Sequence, residues 1–163
     1  MKNLYLIRHA KSDWSDGSHS DFDRGLNIRG EKAIFTMAHA LKEKKIMPDL
    51  ILSSSAQRAK LTAKGLAKEI GYQGKIEYVD ALYMAKPETI HRLIKKVDDT
   101  VDTLFIVGHN PETTEFTNML MTDYIDNVPT LGIVSLNLGI QKWRKFKIDK
   151  YSLEFFIYPK MFN

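Results

Sequence analysis

The sequence predicts a three-layer α/β/α sandwich with a mostly parallel central sheet and a C-terminal antiparallel hairpin. Three observations carry that expectation. Short apolar runs at Leu4–Ile7, Leu50–Leu52 and Leu104–Val107 read as strands buried on both faces. Segments with apolar residues at helical spacing lie between and after them. The final quarter switches to the alternation of half-exposed strands. A βαβαβαβα order followed by a hairpin implies parallel strands joined by right-handed crossovers. With 163 residues, a single domain spanning 1–163 is expected.

Each element has its own warrant. Leu4-Tyr5-Leu6-Ile7 forms the first strand and runs into Arg8-His9. A polar stretch from Lys11 to Arg24 follows. Its carboxylates and His19 match no metal-ligand spacing, so it reads as a solvated loop at a site. Trp14 within it fits either a lid or a packing residue. Asn27 caps a helix to about Lys44, with Ile34, Met37, Ala38 and Leu41 on one face. Asp49–Ser53 is the second strand. Ser54 or Ser55 is the expected cap of the next helix, which ends at Ile70 with Gly71 as its terminating residue. Ile76–Val79 is a short third strand. Pro87 opens a helix carrying Ile90, Leu93, Ile94 and Val97. Leu104–Gly108 is the fourth strand, and Pro111 opens the helix through Phe116 and Leu120. Val134–Leu138 and Ser152–Tyr158 form the hairpin, with a turn near Lys147–Lys150.

Composition narrows the function classes. The chain is 44% hydrophobic and 27% charged, an ordinary globular balance. It has no cysteine, which excludes disulfides, thiol chemistry and Cys-ligated zinc and fits a reducing cytoplasm. No apolar run is long enough to span a membrane. The net charge is +4, with a pI near 9.1. Apart from Lys142–Lys147, the cations are spread along the chain. That pattern fits an enzyme gathering anionic substrates better than a nucleic-acid binder. The Lys142–Lys147 cluster itself reads as an exposed hairpin face or tail. No nucleic acid, membrane, metal or cofactor is expected, and the chain is expected to be monomeric.

Parallel strands place their carboxyl ends on one edge, where open α/β sheets bind ligands. Here those ends supply Arg8, His9, Arg58 and His109, the last two beside helix N-termini that favour anions. Two guanidiniums, two imidazoles and two helix starts suit a compact dianion, and phosphate fits best. A neutral histidine can act as a nucleophile. Arg8 and Arg58 beside His9 would keep it neutral by like-charge repulsion while neutralising the oxygens of a transferring phosphoryl group.

Leu6-Ile7-Arg8-His9-Ala10 resembles the Arg-His-Gly signature of the histidine phosphatase (phosphoglycerate mutase-like) superfamily. Ser53-x-Ser55-Ala56-x-Arg58-Ala59-x-x-Thr62-Ala63 and Gly108-His109-Asn110-Pro111 are similar to its second and third motifs. More closely, Arg8-His9-Ala10-Lys11-Ser12-x-Trp14, Asp23-Arg24-x-Leu26-Asn27-x-Arg29-Gly30, Leu82-Tyr83-x-Ala85, and Trp143 with Pro159-Lys160 resemble the SixA-like phosphohistidine phosphatases. The resemblance implies a transient phosphohistidine on His9, a phosphate pocket of Arg8, Arg58 and His109, and hydrolysis by water. It also implies a contribution of Arg24 to anion binding. Ala10 stands where Gly is usual and Gly25 where Pro is common, which loosens the loop holding Arg24.

No motif fixes a proton donor. Glu88 and Asp13 are the candidates, although Glu88 also fits as a complement to its helix dipole. A phosphoramidate leaves as a readily protonated nitrogen and depends less on an acid than a phosphomonoester does. The expected substrate is therefore phosphohistidine on a protein phosphotransfer domain. A small phosphate ester is the alternative, and a non-catalytic phosphate-binding module a weaker third.

Overall fold

The computed structural model describes residues 1–163. Ten regular elements alternate along the chain. They are β1 (Asn3–Arg8), α1 (Ile28–Glu43), β2 (Leu50–Ser54), α2 (Gln57–Ile70), β3 (Ile76–Val79), α3 (Pro87–Lys95), β4 (Thr103–Gly108), α4 (Glu112–Leu120), β5 (Ile133–Asn137) and β6 (Ser152–Ile157). They build one six-stranded sheet in the order β3-β2-β4-β1-β5-β6. The first four of those strands are mutually parallel, whereas β5 and β6 run antiparallel to their neighbours. No helix is long and apolar enough to cross a membrane.

The sheet separates two apolar layers, because alternate side chains of each strand point to opposite faces. Tyr5, Ile7, Ile51, Phe105 and Val107 pack under α1 and α2 with Met37, Leu41, Leu66 and Ile70. Leu4, Leu6, Leu52, Leu104 and Ile106 pack under α3 and α4 with Ile90, Ile94, Phe116 and Leu120. The three-layer reading thus follows directly from doubly buried strands.

Capping sets where α1 begins. Asn27 Oδ1 accepts from Gly30 N at 2.8 Å, and Gly71 ends α2 with φ of 79°. Two expected caps differ. Neither Ser54 nor Ser55 caps α2: the N-cap is Ala56, with no side-chain bond to the helix amides. Ser54 is the last residue of β2, and its hydroxyl is drawn towards His109, while Ser55 Oγ pairs with Asp80. Pro111 sits at the N-cap of α4 rather than in its first turn, within the usual latitude of helix ends.

The C-terminal strands pair as expected, but no tight turn joins them. The fourteen or so intervening residues double back through a 3-10 turn at Trp143–Lys145. Trp143 and Phe146 are fully buried there, and Trp143 Nε1 donates to Val101 O at 2.7 Å. Lys142, Arg144, Lys145 and Lys147 remain exposed. The basic cluster is therefore an anchored flap and not an exposed hairpin face, because two aromatic rings gain more by burial than a solvated strand would offer.

Candidate active site

The strand order decides which side chains meet. β4 lies between β2 and β1, so the ends of all three come together. His9 N donates to Gly108 O at 3.0 Å, which continues the β1–β4 ladder one residue into the site. Ala10 N donates to Thr62 Oγ1 at 2.9 Å, and Thr62 Oγ1 donates to Arg58 O at 2.8 Å. The residue after His9 is thereby tied to the helix that carries Arg58.

Arg8, His9, Arg24, Arg58 and His109 line one cavity of about 560 Å3. The His9 and His109 rings lie 5.1 Å apart. His9 Nδ1 is 2.7 Å from Ala10 O. A carbonyl oxygen can only accept, so Nδ1 carries the proton and the Nε2 lone pair is left free. His109 Nε2 is 2.8 Å from Ser54 Oγ. The segment before β5 forms a further wall: Leu131 N donates to His9 O at 3.0 Å, and Arg8 Nη1 to Val128 O at 3.0 Å.

Four nitrogens around this cavity are buried and lack any partner: Nε of Arg8, Arg24 and Arg58, and Nδ1 of His109. A buried unpartnered donor costs about 1–3 kcal/mol. All four belong to residues that line the cavity, whose guanidinium and imidazole groups suit an anionic guest.

Asp21, which the sequence did not single out as a site residue, organises the loop side. Arg58 donates Nη1 to Asp21 O at 2.6 Å and Nη2 to its carboxylate at 3.1 Å. Arg24 Nη1 donates to the same carboxylate at 2.9 Å, and the Tyr83 hydroxyl also bonds it. That phenol, opposed by partial burial and aided by the two guanidiniums, holds the Asp21 carboxyl far below its ordinary range. Arg24 is buried, with its guanidinium stacked 3.6 Å over the Trp14 ring. The loop is therefore clamped despite Gly25.

Burial lowers His9 most, with smaller contributions from His109, Arg58 and Arg8, and brings its pKa down to about 3 against a partial lift from the Ala10 carbonyl. The expected guanidinium repulsion is present but secondary to desolvation. His109 falls to about 4, again chiefly by burial and then by Arg58. Both rings are neutral at neutral pH.

Neither expected proton donor lines the cavity. Glu88 is exposed in the first turn of α3. Asp13 lies in a neighbouring hollow, where Ser15 Oγ and N bond its carboxylate at 2.6 and 2.8 Å and lower its pKa. Glu112, in the first turn of α4, does line the cavity, and its Oε2 is buried without a partner. Its place directly after Gly108-His109-Asn110-Pro111 was the available sequence clue. Ser54 and Asp21 gave no comparable clue.

The sheet, its switch of direction at β5 and this edge constellation describe an α/β domain with a cationic cavity at its strand ends. The Histidine phosphatase superfamily (branch 1) profile matches residues 4–83, and the chain belongs to that superfamily. Within it the chain is SixA-like. A structure from Agrobacterium tumefaciens, provisionally assigned as the phosphohistidine phosphatase SixA, superposes with a TM-score of 0.83 at 29% identity, covering 97% of this chain and 98% of that one. The protein histidine phosphatase SixA solved with tungstate gives a TM-score of 0.84 at 16% identity, with 99% of each chain covered. A mycobacterial glucosyl-3-phosphoglycerate phosphatase shares the fold more distantly, at TM-score 0.69 and 14% identity over 95% of this chain and 98% of that one. The uncharacterised protein Rv1276c of Mycobacterium tuberculosis strain H37Rv is 35% identical over 82% of this chain and 87% of its own length.

Proposed function

We propose that the protein is a metal-independent phosphatase that forms a phosphohistidine on His9 and acts on phosphohistidine carried by a protein. The observation that carries this reading is the state of His9: neutral, locked by Ala10 O as the Nδ1–H tautomer, and lining one cavity with Arg8, Arg58 and His109. Nε2 attacks phosphorus as the bond to the substrate nitrogen breaks, and that nitrogen takes up a proton. Water then attacks phosphorus, the P–Nε2 bond breaks, and phosphate and free His9 are released. Arg8 and Arg58 hold the equatorial oxygens in both steps, because stabilising that charge is the main catalytic task.

Ser54 completes the donor set. Its oxygen already accepts from Ala56 N at 3.2 Å, which leaves its hydrogen for its other partner, His109 Nε2. Donation to Nε2 places the proton of neutral His109 on Nδ1, where it serves as a phosphate donor. Arg24, stacked on Trp14, contributes a further guanidinium at the rim. A protein substrate is supported by that rim, where Trp14 is 76% and Met84 72% exposed. Exposed apolar side chains beside a pocket suit contact with another protein surface.

A second reading, a phosphatase of a small phosphomonoester, is favoured by Glu112. With Asp21 held by two arginines, Glu112 is the other carboxyl residue lining the cavity, and a carboxyl group there is the kind that serves a departing alkoxide. Comparing kcat/KM for a phosphohistidine protein and a panel of sugar phosphates, in EDTA, decides between the two. Glu112→Gln should slow monoesters by about tenfold or more and spare phosphohistidine if the acid is needed only for alkoxides. A wild-type preference for a sugar phosphate would overturn the protein-substrate reading.

A further inference from the structure

Lys11, Arg29 and Lys160 belong to distinctive sequence motifs yet have no part in the chemistry above. The fold brings all three, with Lys32, to one cleft of about 420 Å3. Three separate parts of the chain supply them: the loop after β1, the first turns of α1, and the C-terminal turn at Pro159–Phe162, which packs against α1. The junction is tightly built. A Cβ at Gly30 would lie 2.2 Å from Lys11 O, so only glycine lets α1 start this close to the Lys11 backbone.

The charged side chains of the cleft are all cationic. Four cations line it, no acidic side chain does, and none of the four is in an ion pair. Glu31, two residues from Arg29, does not line this cleft; it lines the neighbouring hollow with Asp13 and Trp14, which Lys11 and Arg29 also border. Lys11 and Thr130 line both the cleft and the catalytic cavity, so the two are contiguous.

We infer that this cleft docks acidic side chains of the phosphoprotein while its phosphoryl group enters the cavity of His9. The inference rests on the protein-substrate reading above. Lys11, Arg29, Lys32 and Lys160 are all exposed. A site for a compact free anion would bury its donors around one point, as the catalytic cavity does. Long, solvated cations spread along a cleft suit carboxylates spread over a protein surface, where they steer encounter and fix orientation.

The test is the charge reversal R29E/K32E/K160E, which leaves Lys11 and the catalytic cavity intact. Two readouts are needed: kcat/KM for a phosphohistidine-bearing domain with acidic residues beside its histidine, and for an aryl phosphate. The first should fall about tenfold or more at low salt and lose its ionic-strength dependence, while the second changes less than about twofold. Equal losses on both substrates, or no loss on the phosphoprotein, would overturn the inference. Binding of a fluorescent poly-glutamate peptide, with inorganic phosphate saturating the cavity, separates this claim from the reading beneath it. A wild type that ignores phosphohistidine but binds the peptide, with the variant binding about tenfold more weakly, keeps the acidic docking cleft and removes the substrate assignment. Peptide binding that the variant leaves unchanged sinks the cleft alone, as does a substitution effect seen only with a small bisphosphate.

Discussion

His9 and His109 show how little the residue type says until its partners are known. Both are imidazoles at strand ends, but the carbonyl of Ala10 fixes the tautomer of His9, whereas His109 Nε2 meets the hydroxyl of Ser54. This assigns Ser54 a positioning role that a single substitution can expose. Ser54→Ala should lower kcat/KM about tenfold, the worth of one such hydrogen bond, with little change in unfolding midpoint. Ser54→Thr should recover most of the loss. A midpoint that drops in step with activity would mark Ser54 as merely structural. The two depressed pKa values make a second prediction at this scale. The imidazole resonances of His9 and His109 should not titrate between pH 8 and 5, because both rings protonate near pH 3 to 4.

At the scale of elements, the loop after β1 and the start of α1 act as one unit. Asn27 N donates to Lys11 O at 3.0 Å, Asp13 N to Gly25 O at 2.9 Å, and Ser12 bridges Leu26. Gly30 permits that contact. Gly30→Ala should therefore destabilise the fold by about 2–4 kcal/mol, since the clash is with backbone that cannot swing aside. Gly17→Ala, where a methyl meets nothing within 4 Å, should change stability by less than about 0.5 kcal/mol. Urea unfolding of the two variants checks the contrast, and equal effects would show that the Lys11–Gly30 contact does not constrain the loop.

For the whole molecule, the apolar runs made the layers legible. Leu4–Ile7 and Leu104–Val107 read as strands covered on both sides, and Arg8, His9, Arg58 and His109, at or just beyond strand ends, could meet on one edge. What the sequence left open depended on distant partners. The place of β4 between β1 and β2 is a matter of pairing that no single run encodes. Ser54 looked like a helix cap because its competing partner, His109, lies 55 residues away. Asp21 looked like one of several loop acids until the fold set Arg24, Arg58 and Tyr83 around it. The Lys142–Lys147 cluster looked like exposed strand because buried Trp143 and Phe146 were hidden among cations.

Burying two neutral histidines also has a global consequence. In the unfolded chain each protonates near pH 6.5, whereas in the fold each resists protonation until about pH 3 or 4. Between those limits the unfolded state binds more protons, so stability is fully present above about pH 6.5 and declines as pH falls. Unfolding free energy should drop on the order of a few kcal/mol between pH 7 and 4. A flat profile over that range would contradict the burial of both rings.

The most direct measurement is to trap the enzyme during turnover of a radiolabelled phosphoryl donor in EDTA and map the label. The predicted result is an acid-labile, base-stable phosphoryl group on His9 that is absent in His9→Ala, with hydrolysis lost in the same variant. A His9→Ala enzyme that still carries the label, or still turns over at the wild-type rate, would contradict the proposed mechanism.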